Sequence, residues 1–360
     1  MKVVVRVDGT AQIGLGHVMR CLTLANQFLP FARVTFLSCP LPFALHQQVE
    51  QAGITLLTAP PLNSSEQSTR SDCKLDEQAQ YKHANQCIDV LSRAHNDSID
   101  ILIIDHYQLS SAFSTAMRRC SKHIVVIDDL ANRQHDCDVL LDQNLYDNYE
   151  VRYEQLVPSH CRKLLGPKFA ILRDEFYSSS AIPRKDNHFL ICFGGSDPSN
   201  LTERVVDTLL SLKSLTISAD IVVGAGYTHT DSLKTKVSSL ANVTLHVACS
   251  YIAQLMKTAS TMIGAGGSMH WERAASGVAG MIITLADNQI ETTRTLHKQQ
   301  CCLWIGQSDD VAQEDISEAI NFAISSPEKM RKLADNAASL ISSNKNPSFV
   351  VDTILNSIKR

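Results

Sequence analysis

The feature that most constrains this chain is an alternation of short β-branched runs with amphipathic stretches, which proceeds for five strands, breaks, and starts again. Val3 to Asp8, Arg33 to Cys39, Ile54 to Thr58, Ile101 to Ile104 and Ile124 to Ile127 read as buried strands. After the first, Val18, Cys21, Leu22, Ala25, Phe28 and Leu29 recur at helical spacing, and Phe43 to Ala52 reads as the next helix. A polar segment from Pro60 to about Glu77 interrupts the pattern and reads as a mobile loop. The alternation restarts after a weakly periodic stretch near residues 150–186. Strands are then expected at His188 to Phe193, Asp220 to Val223, Val243 to Val247, Thr261 to Ile263, Met281 to Leu285 and Cys302 to Ile305, with several helices from Asp315 onward. Such alternation requires a parallel sheet covered by helices on both faces. The expectation is an α/β chain with two doubly wound, Rossmann-like domains facing across a cleft. Residues 1–165 would form the N-terminal Rossmann-like domain and 166–186 a linker. Residues 187–345 would form the C-terminal Rossmann-like domain, and 346–360 a last helix. A length of 360 residues agrees, being roughly two domains of ~150.

Composition excludes several roles. Lys plus Arg number 33 against 37 Asp plus Glu, which argues against a nucleic-acid binder with its basic excess. No apolar run approaches the ~20 residues a membrane span needs. The opening run Met1 to Asp8 lacks the apolar core and cleavage site of a secretory signal. The eleven cysteines are scattered without a Cys-x-x-Cys pair, and only Cys301-Cys302 lie close together. They read as reduced, mostly buried thiols in a cytoplasmic protein.

In open α/β sheets ligands bind beyond the carboxyl ends of the strands, so the loops there should carry the chemistry. The first is Asp8-Gly9-Thr10-Ala11-Gln12-Ile13-Gly14-Leu15-Gly16-His17. Gly14 and Gly16 would let the backbone approach a ligand closely. Met19 stands where a dinucleotide fingerprint needs its third glycine, which disfavours NAD. His17 falls at a helix start, where the dipole disfavours imidazolium, so a neutral general base is expected. Arg20, three residues on, shares its face and is expected at a phosphate, the alternative being a salt-bridged arginine. In the second loop Gly194-Gly195 reads as a phosphate cradle. Pro198 would open the next helix with Asp197 as its cap, and Asn200 with Glu203 is the competing capping box. In the third, Gly264-Ala265-Gly266-Gly267-Ser268 before Met269-His270-Trp271-Glu272-Arg273 suits a diphosphate, with Gly266, Gly267 and Ser268 at its centre. Glu272 would accept two hydrogen bonds from a ribose diol, so sugar beside diphosphate reads as a nucleotide. Asn288 and Gln289, in Ala286-Asp287-Asn288-Gln289, suit sugar hydroxyls. Asp105-His106-Tyr107 and Asp128-Asp129 also follow apolar strands. Neighbouring side chains of an extended pair point opposite ways, so Asp128-Asp129 is not read as a metal site. Asp136-Cys137-Asp138 precedes an apolar run and reads as a surface turn. Neither metal nor cofactor is expected.

The stretch Gln12 to Ala25 resembles the opening of the UDP-2,4-diacetamido-2,4,6-trideoxy-β-L-altropyranose hydrolases of pseudaminic acid biosynthesis. The resemblance continues through Ile104-Asp105-His106-Tyr107, Ile127 to Arg133 and Leu164 to Ala170. It runs on through Cys192 to Pro198, Gly264 to Ser268, Trp271-Glu272-Arg273 and Ala286 to Gln289. It implies a glycosyltransferase-B (GT-B) fold used as a hydrolase without metal. His17 would be the essential base, Tyr107 would lie near the sugar, Glu272 would hold the ribose, and the glycine loops would hold the diphosphate of a UDP-sugar. Met269-His270, Gly277-Val278-Ala279-Gly280 and the insert near 60–78 depart from that pattern, which bears on sugar specificity. Two rival readings share the architecture: a GT-B glycosyltransferase with a UDP-sugar donor, and a nucleotide-binding interaction protein. The sequence leaves the oligomeric state open.

Overall fold

The computed structural model describes residues 1–9, 16–62, 75–94, 98–178, 182–212 and 217–359. The chain forms two compact units. One comprises Met1–Asn144, Asn148–Arg173 and Asn344–Arg360; the other comprises Leu145–Asp147 and Asp174–Ser343.

The first unit is built on a parallel seven-stranded sheet. Its strands are β1 (Lys2–Val7), β2 (Arg33–Ser38), β3 (Thr55–Thr58), β4 (Ile99–Asp105), β5 (Ser121–Ile127), β6 (Val139–Asp142) and β7 (Arg162–Leu165). They run in the order β3-β2-β1-β4-β5-β6-β7. Alternation along β1 sends Val3, Val5 and Val7 to one core and Val4 to the other. On the first face lies α1 (Gly16–Phe28), through Val18, Cys21, Leu22, Ala25 and Phe28, joined by Val350, Val351 and Ile354 of the C-terminal helix α12 (Phe349–Ile358). On the second lie α3 (Glu77–Ala94) and α4 (Ser111–Met117), through Ala84, Cys87, Leu91, Phe113 and Met117. Each fully buried Val, Leu, Ile or Phe contributes ~1.5–3 kcal/mol, so this two-sided burial is what holds the sheet. The remaining helix, α2 (Phe43–Gln51), follows β2. β6 and β7 were not expected as strands. Each is four residues long, no helix separates them from β5 or from each other, and Val139–Asp142 is buried throughout. Residues 63–74 of the polar insert lie outside the described residues.

The second unit repeats the plan with six parallel strands: β8 (His188–Cys192), β9 (Ser218–Val223), β10 (Val243–Val247), β11 (Thr261–Ala265), β12 (Ala279–Thr284) and β13 (Leu303–Gln307), ordered β10-β9-β8-β11-β12-β13. Helices α5 (Leu201–Ser211), α6 (Thr230–Val237), α7 (Ile252–Thr258), α8 (Met269–Ala275), α9 (Asp287–Lys298), α10 (Gln313–Ser325) and α11 (Pro327–Leu340) cover it. The two doubly wound sheets expected from the alternation are present. In each, strand order reverses beside the first strand, between β1 and β4 and between β8 and β11. A crevice opens at such a reversal because the flanking connections leave on opposite faces. Val7 pairs with Asp105 in the first unit, and Gly264 with Cys192 in the second. His17 at the start of α1, Tyr107 just after β4, and the loops carrying Gly194-Gly195 and Gly266-Gly267-Ser268 therefore follow the strands that flank the switch points. No helix among the described residues is long and apolar enough to cross a membrane. Ten of the eleven cysteines fall among the described residues, and all ten are free thiols.

Candidate functional site

The strands of the first unit end in acids, and their carboxylates are buried. Asp8 follows β1, Asp105 closes β4, Asp128 and Asp129 follow β5, and Asp142 closes β6; each is at most 9 % exposed. Burying a carboxylate is costly unless it is paired, so each draws a partner inward. Arg6, two residues before Asp8 on the same face of β1, grips it at 2.5 and 2.9 Å. His106 Nε2 lies 3.0 Å from the same carboxylate, and the Cys39 amide donates to it at 2.8 Å. Burial pushes the Asp8 carboxyl up, but Arg6 and His106 outweigh it and hold the group well below the carboxylate range.

His17 is the second residue of α1 and is buried. Its Nδ1 lies 2.6 Å from Asp105 Oδ1 and 3.1 Å from Arg20 Nη2. An unprotonated Nδ1 would set its lone pair against a carboxylate at that distance. Nδ1 therefore carries the proton and donates to Asp105; the Arg20 contact is proximity, since two donors cannot bond each other. In the neutral imidazole the lone pair is then on Nε2. Tyr107, half-buried, meets the imidazole edge-on with ring centroids 4.4 Å apart. Burial would raise the Asp105 carboxyl, yet Arg20 and then His17 hold it well below its usual range.

Arg20 is salt-bridged, the alternative left open for it. Its Nε and Nη2 donate to Asp105 at 2.5 and 2.7 Å, and its Nη1 donates to Asp129 at 3.0 Å. One turn into α1, it faces two strand ends from which carboxylates emerge, and a planar five-donor group satisfies both. Tyr107 also hydrogen-bonds Asp129, and burial with that neighbour pushes the phenol up. Asp128 turns to a separate set, Arg133 at 2.8 Å, the Ala131 amide at 2.9 Å and Tyr153 Oη at 3.0 Å, as an extended Asp-Asp pair should. Asp136 and Asp138 instead share one partner, Arg118, at 2.7 and 3.1 Å.

The second unit offers backbone where the first offers charge. Gly194 (φ +91°) and Gly195 follow β8, and a Cβ on either would meet no described atom within 4 Å. A Cβ on Gly224 would stand 2.3 Å from the Gly195 carbonyl oxygen, so the loops after β8 and β9 pack backbone against backbone. Here the helix start differs from expectation: α5 begins at Leu201, not Pro198. Asp197 still caps it, accepting from the Leu201 and Thr202 amides at 3.0 and 2.8 Å, whereas Asn200 donates to the Glu203 side chain at 2.6 Å. After β11, Gly266 is buried, Gly267 adopts φ +80°, and Ser268 is exposed. α8 is anchored from within by His270, Trp271 and Arg273, each 1 % exposed, which leaves Glu272 half-buried. His270 Nε2 lies 3.0 Å from Thr293 Oγ1, and burial lowers this imidazole to about 3. Gln289, expected at a sugar hydroxyl, turns its carbonyl back to the Leu285 amide at 2.9 Å and lies beside Gly266, so it braces the loop. Asn288 is exposed in the first turn of α9, and Gly16 is exposed as the first residue of α1. Gly14 lies outside the described residues.

Sequence reasoning gave no role to Asp105, Asp129, Asp142, Arg6 or Tyr153. A signal was available: an acid directly after an apolar run, as in Ile104-Asp105, Ile127-Asp128 and Leu141-Asp142, marks a buried carboxylate at a strand end.

Comparison with known proteins bears on this arrangement. Residues 189–349 match the family model of the glycosyltransferase family 28 C-terminal domain. The chain is 27 % identical over 300 residues to the UDP-2,4-diacetamido-2,4,6-trideoxy-β-L-altropyranose hydrolase of Campylobacter jejuni, covering 83 % of this chain and 97 % of that protein. The resemblance seen in the motifs thus holds over most of both chains. The crystal structure of Acinetobacter baumannii MurG superimposes with a TM-score of 0.67 at 16 % identity, covering 99 % of this chain and all of that one. UDP-GlcNAc 2-epimerase of Neisseria meningitidis, bound to UDP-GlcNAc, gives 0.59 at 15 %, again over 99 % of this chain and all of that one. The fold is that of the GT-B glycosyltransferases, and the likenesses support an enzyme of that superfamily.

Proposed function

We propose that this chain hydrolyses a UDP-sugar at its anomeric carbon, with UDP-2,4-diacetamido-2,4,6-trideoxy-β-L-altropyranose as substrate. The observation that carries the reading is the His17 Nδ1 to Asp105 contact of 2.6 Å, which fixes the tautomer and presents Nε2 as a base. His17 takes a proton from water, the water oxygen bonds to C1, and the C1–O bond to the diphosphate breaks. UDP leaves with that electron pair, and the free 6-deoxy diacetamido hexose remains. Tyr107, against the imidazole, would border the sugar. Backbone amides at Gly194-Gly195 and Gly266-Gly267-Ser268 would meet the charge growing on UDP without reorganising, so the step asks for no metal. Glu272 would hold the ribose, with Asn288 nearby and Gly14 and Gly16 shaping the loop before His17. Arg20 would act through Asp105. The product would enter pseudaminic acid biosynthesis and surface-glycan or flagellin modification, in the cytoplasm, where free thiols persist.

Purified protein should release UDP from this substrate with no acceptor added, whereas a glycosyltransferase would release it only with one. In ¹⁸O-water the label should enter the sugar; label in UDP would refute attack at carbon. Replacing His17 by Asn should lower turnover by about 10²–10⁴-fold while UDP still binds.

A further inference from the structure

Hydrogen counting around Tyr153 exposes a proton that the mechanism above does not use. Its hydroxyl oxygen lies 3.0 Å from Asp128 Oδ2 and 3.0 Å from Asp142 Oδ2. All three groups are at most 2 % exposed. A phenol has one hydrogen and can serve one of these carboxylates. The other would then press a charged oxygen against a lone pair, unless it carries a proton and donates it to the phenol. Among the described residues at these strand ends, five carboxylates (Asp8, Asp105, Asp128, Asp129, Asp142) meet four guanidinium groups (Arg6, Arg20, Arg133, Arg152) and the imidazoles of His17, His106 and His135, none of which faces Asp142.

We infer that Asp142 holds a proton in the folded enzyme near neutrality, donating it to Tyr153, which donates to Asp128, and that this proton keeps surplus negative charge away from His17. Asp142 and Tyr153 are then positioning residues for the base. Surroundings choose Asp142 over Asp128. Asp128 faces Arg133 at 2.8 Å, His135 at 3.7 Å and the Ala131 amide. Asp142 faces Arg152 and the Asn144 amide, both at 3.0 Å, with the charges of Asp129 and Asp128 nearby. In agreement, burial followed by Asp129 pushes Asp142 up to about 7, whereas Asp128 is held well below the carboxylate range.

The connection to the base is continuous. Arg152 bonds Asp142 and the Asp129 carbonyl; Asp129, which also receives Tyr107, bonds Arg20; Arg20 bonds Asp105, which receives His17 and the Cys21 thiol. When Asp142 ionises, a buried negative charge appears beside this chain of contacts and changes the field at His17. An Asn at 142 removes that charge at every pH.

The link to catalysis rests on the hydrolase reading; the proton does not. Infrared spectra of the resting protein should show a protonated-carboxyl C=O band that fades as pH rises through 7 and is missing in Asp142→Asn. Tyr153→Phe, which keeps the ring, should shift that band by removing its acceptor. In Asp142→Asn the ¹⁵N signals of His17 and the kcat/KM profile for UDP release should match the parent below about pH 7 and lack the change that the parent shows as Asp142 ionises above it. A neutral-pH spectrum without the band, or a band that survives Asp142→Asn, would overturn the proton. A parent whose His17 signals and kcat/KM do not differ from those of Asp142→Asn above pH 7 would overturn the link. If no UDP-sugar turns over, the hydrolase reading fails while the band and the His17 signals still decide this one.

Discussion

The two units share a strand order and a switch point, yet they furnish it with opposite chemistry. In the first, the strand ends carry Asp8, Asp105, Asp128, Asp129 and Asp142, each buried and paired with guanidinium or imidazole. In the second, the corresponding loops carry Gly194, Gly195, Gly224, Gly266 and Gly267, and a buried acid there, Asp197, is taken up in capping α5. The difference teaches what each task requires of a shared scaffold. Moving a proton needs a lone pair held in one direction by fixed charges, which side chains supply. Holding a polyanion needs exposed N–H groups with no Cβ in the way, which glycine supplies.

If that division is right, substitutions in the two units should fail in different ways. The largest effect is expected from Asp105→Asn, which withdraws the charge that orients His17 and leaves Arg20 short of a partner. Turnover should fall by about 10²–10⁴-fold with UDP affinity within about threefold of the parent, read by UDP release and calorimetry. A loss of UDP affinity as large as the loss of turnover would break the comparison. Gly224→Ala should do the reverse. Its Cβ must displace the Gly195 carbonyl, so UDP binding should weaken about tenfold, some 1.4 kcal/mol, with no shift in the pH profile. A third effect, on stability and not on binding or turnover, concerns pH and the second unit alone. His270 is held neutral by burial, at about 3, while an unfolded chain binds that proton below the ordinary histidine value. Its contribution is therefore complete above about pH 6.5 and is lost progressively as pH falls toward 3. Replacing His270 with Gln should remove about 2 kcal/mol of the stability difference between pH 7 and pH 5, measured by denaturant unfolding. An unchanged pH dependence would show that this imidazole is not sealed behind the glycine loop.

Much of the fold was legible because burial on both faces leaves a mark in the residues themselves. Long apolar strands such as β4 and β5 announced themselves, and α1 did so through Val18, Cys21, Leu22, Ala25 and Phe28. β6 and β7 did not, because no helix separates β5, β6 and β7 and the strand–helix alternation lapses there. The site was legible in part. His17 stood out by its glycine setting, but its partner Asp105 lies 88 positions away and is brought to it only by the pairing of β1 with β4. Arg20 was read toward phosphate because an arginine near a glycine loop offers no hint of carboxylates arriving from β4 and β5. Gln289 was read only as a sugar ligand, and the hydrogen bond its carbonyl accepts from the Leu285 amide, just after β12, could not be foreseen.

The residues alone determined two parallel sheets, glycine-lined loops at the strand ends and a histidine at the start of the first helix. Each of these is a local matter of periodicity, backbone freedom and helix geometry. Tertiary structure decided which charges meet. Asp105 on His17, Arg20 between Asp105 and Asp129, and Tyr153 between Asp128 and Asp142 depend on strand order and register, which set distances among residues far apart in the chain. Pairwise charge energies grow steeply as separation shrinks and water is excluded, so a choice written nowhere in the local sequence governs which group holds the proton.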